Sequence, residues 1–300
     1  MTKAVDVLLA GLVDYAGLFP PSGEDMRTAL EHYASYAKGP DSHALGRFIV
    51  PIARLTELED AADDLLPKGN AAESWRLSVL VADDIASAVK EMSRFNRDHG
   101  SGSKGRAIID VVEMKATTAD QIHRQRHELG PEFTVYSEIP LSGDVRSLVT
   151  AMSELHVRAK VRTGGVSANA FPPADKLADF IVACARAKLP FKATAGLHHP
   201  LRGEHHLTYE PDSEKGVMYG FVNVFLASAM AYAGETEEAL VAVLEETDPS
   251  AFVFGDGGIR WRNKTVTTEQ IAAARSKFAI AFGSCSFREP VDELASLTRN

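Results

Sequence analysis

The chain has 300 residues, 45% of them hydrophobic and 24% charged, and a formal net charge of −9. That length can bury a full α/β core without disulfide or metal staples. The acidic balance, with no basic run interleaved with aromatics, argues against nucleic acid as a general partner. Two cysteines, Cys184 and Cys285, and a first ten residues with one lysine and an interrupting Asp6, read as a cytoplasmic protein without a secretory pattern.

Apolar runs alternate with amphipathic ones over the first 230 or so residues. Residues 7–12 predict a first strand. The loop after it carries Asp14-Tyr15, and Phe19-Pro20-Pro21 reads as a rigid turn. A helix over 26–38, a second strand over 47–52 and a helix with an acidic face over 55–66 follow. A third strand is predicted over 76–81, with Asp83 and Asp84 placed to cap a helix that runs to about Phe95. Gly100-Ser101-Gly102-Ser103 reads as a flexible turn.

The fourth strand is predicted over 106–112, the fifth over 133–138, the sixth over 157–162 and the seventh over 189–194. Helices lie between them over 118–128, 145–155 and 173–188, the last opened by prolines. An eighth strand within 216–222 leads into a helix ending at Gly234. Residues 216–234 carry no charge and are long enough to span a membrane. Asn223, Ser228, two tyrosines and the acidic residues that follow assign them instead to the interior of a large fold.

Repeated strand–helix units with short connections predict a parallel sheet, and seven or eight of them predict a closed (β/α)8 barrel, the TIM-barrel fold. An open doubly wound sheet is the alternative. No Gly-x-Gly-x-x-Gly loop follows the first strand, so that alternative has no dinucleotide site, and no cofactor is expected. Residues 1–234 would form the barrel. Residues 235–300 would be an extension packed on it, with helices over 236–246 and 266–278, a hairpin over 252–261 and a compact loop over 282–290. Ser284-Cys285-Ser286 in that loop has no Gly-x-Ser-x-Gly elbow around it and reads as a turn or a helix cap.

Two strands end on a lysine followed by a turn on glycine. One contains Lys160, Arg162, Thr163, Gly164 and Gly165, and the other Lys192, Thr194 and Gly196. Side chains alternate along a strand, so Lys160 shares a face with Arg162, and Lys192 with Thr194. Lysine is costly to bury, and neighbouring cations lower each other's pKa, which frees an amine to attack a carbonyl and form a Schiff base. Asp110 and Glu138 occupy similar positions on the two preceding strands, and Glu113 is an alternative to Asp110 with opposite facing. Asp14 and Tyr15 would sit at the same rim.

The order Asp-Val-Val, Glu, Lys-x-x-Thr-Gly, Lys-x-x-x-Gly over about residues 105–234 resembles 2-deoxyribose-5-phosphate aldolase and related class I aldolases. The resemblance implies a barrel lyase of carbohydrate metabolism. Lys160 would form the Schiff base, Lys192 would lower its pKa, and Asp110 would relay protons, with Glu138 on the intervening strand. Residues 220–224 resemble the family's last strand and the start of its phosphate-binding helix. Arg162, His198-His199 and Asn223 depart from the pattern. They point to a small anionic carbonyl or sugar-like ligand other than deoxyribose phosphate, clamped by Arg162 or Arg202, with His198 or His199 assisting.

Two rival readings stand beside this one. His198, His199, His205 and His206, with Glu204, make a cluster that suits a metal-dependent hydrolase or isomerase, although no metal is assigned. A non-catalytic barrel that binds an anion would keep the same cations. A homo-oligomer is compatible with all three readings, and none needs a membrane.

Overall fold

In a computed structural model, which describes residues 1–70, 73–102 and 104–299, eight parallel strands close a barrel. Seven of them are β1 (Val13–Tyr15), β2 (Leu45–Pro51), β3 (Trp75–Leu80), β4 (Ala107–Lys115), β5 (Thr134–Glu138), β6 (Arg158–Arg162) and β7 (Phe191–Thr194). The helices on their outer side are α2 (Met26–Lys38), α3 (Leu55–Ala62), α4 (Ile85–Gly100), α5 (Ala119–Leu129), α6 (Val145–Glu154) and α7 (Ala174–Arg186). Polar residues fix where these helices begin. Asp25, Asp84 and Asp144 accept from the backbone N–H three residues on, as an N-cap does. Of the turn expected over 100–103, Ser103 lies outside the described residues.

Both ends of the expected barrel differ from the structure. Residues 7–12 are not a strand, because the chain opens with helix α1 (Lys3–Leu9). Its buried residues Ala4, Val5, Leu8 and Leu9 follow helical spacing, and a short continuous apolar run does not separate a buried strand from a helix. The helix stops before Gly11, whose φ of +57° suits glycine, and β1 starts at Val13. Asp14 and Tyr15 therefore lie within the first strand.

The eighth barrel strand is not within 216–222 either. It is residues Ala279–Ser284, which pair with β1 through Val13↔Phe282 and Asp14↔Gly283, and with β7 through Gly283↔Thr194. Residues between an expected helix and the start of an expected compact loop thus close the ring, and 235–300 is not merely an extension laid on a finished barrel. The small polar run after Phe282 conceals the strand, since Gly, Ser and Cys are also loop residues.

Between β7 and this closing strand the chain makes a hairpin, β8 (Gly203–His206) with β9 (Lys215–Met218), and then helix α8 (Phe221–Tyr232). Helix α8 is buried from Phe221 to Met230, in keeping with an interior helix, and no helix among the described residues is long and apolar enough to cross a membrane. Next come α9 (Glu237–Leu244), the antiparallel sheet β10 (Phe252–Gly255), β11 (Gly258–Trp261) and β12 (Lys264–Thr267), and α10 (Thr268–Lys277), which Thr267 and Gln270 cap reciprocally. This small sheet packs on α1 and α10. The closing strand is β13, and α11 (Arg288–Leu297) follows it.

Candidate active site in the barrel mouth

Glu138, Lys160 and Lys192 are register partners across β5, β6 and β7, so three neighbouring strands each deliver one charge to the same row. The sheet makes that row unavoidable once the strands pair. Glu113 enters from β4 and Asp14 from β1, so five strands supply the cluster. Glu113 and Glu138 lie in the carboxyl-terminal part of their strands, the end at which enzymes of this fold place their chemistry, with Asp14 and Lys192 deeper in the barrel.

The lysine ammonium groups share one carboxylate. Lys192 Nζ donates to Asp14 Oδ2 at 2.5 Å and to Glu113 Oε1 at 2.6 Å. Lys160 Nζ lies 2.8 Å from Glu113 Oε2 and 2.8 Å from Glu138 Oε2. Glu113 Oε2 accepts no directed hydrogen bond, so Lys160 meets it as a charge, whereas Oε1 also accepts from Ser78 Oγ at 2.6 Å. Arg162 Nε reaches Glu138 Oε1 at 3.3 Å. Lys192, Glu113 and Asp14 are 2% exposed or less and Lys160 is 5% exposed.

Burial pushes the Glu113 carboxyl up, but the ammonium groups of Lys160 and Lys192 overcome it and hold the acid well below the usual carboxylate range. Burial likewise opposes the charge on Lys192, and Asp14 and Glu113 overcome it, so Lys192 holds its proton more tightly than a free lysine. Its two carboxylate partners favour the ammonium form over a neutral amine. Glu138 is also held low, against burial, by Lys160 and then Arg162.

Above this cluster is a cavity of about 300 Å³. Lys160 and Glu113 reach its floor, and Arg162, Gly165, Thr194, Gly196 and His198 line it. Lys192 does not reach it and supports the floor from below. Leu207 and Met218, carried on and beside the β8–β9 hairpin, and the Phe19-Pro20-Pro21 turn make apolar walls. Cys285, just past β13, completes the lining beside His198.

The other expected site residues lie elsewhere. The Asp110 carboxylate is gripped by Arg47 at 2.7 and 2.8 Å and by Arg76, towards the amino-terminal half of β4. The lysines therefore take Glu113 in its place. An irregularity in the β3–β4 register, between Ile109↔Leu77 and Val111↔Ser78, resets the alternation at Asp110, which a strict two-residue period does not anticipate. Tyr15 OH donates to Glu24 and does not line the cavity. Thr163 is fully buried and donates to Ala195 O at 2.6 Å, which ties the two lysine strands together. Gly164 and Gly196 leave room for the Phe171 ring and for each other, and Gly196 has a φ of +73°.

Asn223 is a scaffold residue. Its Oδ1 accepts from Arg202 N, and its Nδ2 donates to the carbonyls of Val243 and Glu246. The Arg202 guanidinium lies over the Tyr219 ring, and Arg202 lines a separate shallow groove with His199 and His205. Ligand atoms of His199, Glu289 and Glu293 lie within 4.8 Å of one another, the one such grouping among the described residues. None of the three lines the main cavity, and their atoms are engaged. His199 Nδ1 pairs with Glu293, and Glu289 Oε2 accepts from His198 and Tyr209.

No family model matches this chain, and no curated protein or solved structure is detectably similar to it. The chemistry must be read from the site itself. Ser78, Glu289 and Tyr209 belong to the site's neighbourhood without any local sequence signal, since each acts through contacts that only the fold creates.

Proposed function

We propose that the barrel is a lyase of the class I aldolase type, forming an imine between Lys160 and the carbonyl carbon of a small anionic substrate. The observation that carries this reading is the asymmetry of the two lysines. Both touch Glu113, but only Lys160 opens onto the cavity, and Lys192 is sealed beneath it as an ammonium group.

The steps follow from that arrangement. Lys160 must first lose a proton, and Glu138, 2.8 Å away, can take it. The amine then adds to the carbonyl carbon, the oxygen takes one proton from Glu138 and one from the nitrogen, and water leaves as the iminium forms. Glu113, kept anionic by Lys192, faces the new positive nitrogen and stabilises it. Glu138, again a carboxylate, takes the proton of the substrate's β-hydroxyl group as the neighbouring carbon–carbon bond breaks. The electron pair of that bond enters an enamine, and the other fragment leaves as an aldehyde. The same proton then returns to the enamine carbon, and water hydrolyses the imine to free Lys160. Arg162, at the cavity wall, suits a carboxylate or phosphate on the substrate.

Borohydride reduction in the presence of pyruvate, dihydroxyacetone phosphate or glyceraldehyde 3-phosphate tests the assignment. The expected result is a reduced adduct whose mass maps to Lys160 and is lost in Lys160→Ala. Adducts only at other lysines would overturn it. Glu138→Gln should slow trapping by about 10²–10⁴-fold, the usual contribution of a positioned acid–base group.

A further inference from the structure

The imine reading leaves unused a second reactive constellation at the edge of the same cavity, which its Cys285 and His198 line. Cys285 Sγ lies 3.9 Å from His198 Nε2, and His198 Nδ1 lies 2.9 Å from Glu289 Oε2. Tyr209 OH donates to the same Glu289 oxygen at 3.0 Å and stands 3.8 Å from the sulfur. This is a nucleophile, a nitrogen base and an orienting carboxylate in sequence. Two stretches of chain build it, one after β7 and one running from β13 into α11. Cys285 follows β13, His198 follows β7, and Glu289 lies in the first turn of α11.

Both nitrogens of His198 face acceptors, a carboxylate on one side and the sulfur on the other. Such a ring is best satisfied with two protons, that is, as an imidazolium. Consistent with this, the sulfur and Glu289 outweigh burial and raise the His198 pKa to about 10. Burial opposes the Cys285 thiolate, but His198 lowers its pKa overall. Cys184 is the internal contrast. It is fully buried in α7, and burial alone pushes its thiol up.

We propose that Cys285 is a second nucleophile of the cavity, which adds reversibly to the aldehyde carbon of a ligand to form a thiohemiacetal. The carbon–sulfur bond forms from a sulfur lone pair. The carbonyl π pair moves to oxygen, which takes the proton from His198 Nε2. The reverse step returns that proton and frees the aldehyde, and no oxidant or reductant enters. An aldehyde is favoured over an acyl group by the donors at hand. The backbone N–H of Ser286 is taken by Ser284 Oγ and that of Glu289 by Ser286 Oγ. Neither of these two N–H groups is therefore free to cradle a persistent oxyanion, whereas an adduct neutralised by the imidazolium does not need one. Glu289 is a positioning residue. The choice of an aldehyde rests on the carbonyl reading of the cavity, and the thiolate does not.

Two measurements test the proposal. At pH 6.5 an ordinary thiol with a pKa near 8.5 is about 1% thiolate. Iodoacetamide at that pH should alkylate Cys285 in the native protein at least tenfold faster than free cysteine and leave Cys184 unmodified. His198→Asn should abolish the advantage and Glu289→Gln should reduce it. An unaltered rate in His198→Asn, or no excess over free cysteine, would overturn the thiolate. Glycolaldehyde labelled with carbon-13 at its carbonyl should then give a protein-bound resonance distinct from its hydrate. That resonance should vanish in Cys285→Ser and persist in Lys160→Ala. Its persistence in Cys285→Ser would overturn the adduct. Imine formation is read separately, by mass at Lys160, so either reading can fail without the other.

Discussion

Glu113 decides the character of the site, because it keeps two buried ammonium groups together that would otherwise repel. Replacing it with glutamine preserves the shape and removes the shared charge. Breaking one side of a buried ion pair costs about 3–5 kcal/mol, so Glu113→Gln should be less stable by that order at neutral pH. The sign of the pH dependence follows from the depressed pKa of this acid. Its contribution is present above the unfolded carboxyl value of about 4.3, and it is lost as pH falls from there through the folded value. Urea titrations between pH 7 and 3 should show a steep acid limb in the parent protein and a flatter one in Glu113→Gln. Equal slopes would mean that the carboxylate does not hold the lysines as described. At this scale much was legible in the sequence. Lys160, Lys192 and Glu138 announce themselves as charges in apolar strands, and strand pairing alone brings them into one row. Asp110 and Glu113 could not be told apart, because one irregularity in β4 shifts the facing of everything beyond it.

Among the elements, α8 shows how a residue in the right neighbourhood can serve the frame and not the ligand. Asn223 at its start satisfies a backbone N–H near the hairpin and two carbonyls at the end of α9. Each group left unpaired on truncation costs about 1–3 kcal/mol. Asn223→Ala should therefore lose roughly 3 kcal/mol or more of stability, read by chemical denaturation, while imine trapping at Lys160 keeps its concentration dependence at low temperature. A weakened trapping affinity with full stability would instead place Asn223 on the ligand. Most helices were readable because caps and periodicity agree, as in α2, whose boundaries match the pattern residue for residue. The two misread strands, β1 and β13, are neighbours in the ring. One follows a short apolar helix whose continuous apolar run also fits a strand, and the other ends in residues typical of loops.

For the molecule as a whole, closure depends on the chain's last third returning to its beginning. A chain ending at residue 234 lacks β13 and leaves β1 and β7 as open edges. Open edges of a barrel strand pair with whatever is available. The 1–234 fragment should therefore fail to give a cooperative transition, and it should elute as aggregates in size-exclusion chromatography. A monomeric fragment with a sharp transition would show that seven strands suffice.

The contact between Arg162 and Glu138 has a consequence for proton traffic. Asp14, Glu113 and Glu138 are matched in number by Lys160, Lys192 and Arg162, which pair with them. An anion that draws the guanidinium towards itself leaves Glu138 with one fewer positive neighbour, and its appetite for a proton rises. The nearest proton is on Lys160. Under the proposed imine chemistry, an anion that engages Arg162 would ease transfer of that proton to Glu138, so occupation of the pocket and readiness of the nucleophile would be linked.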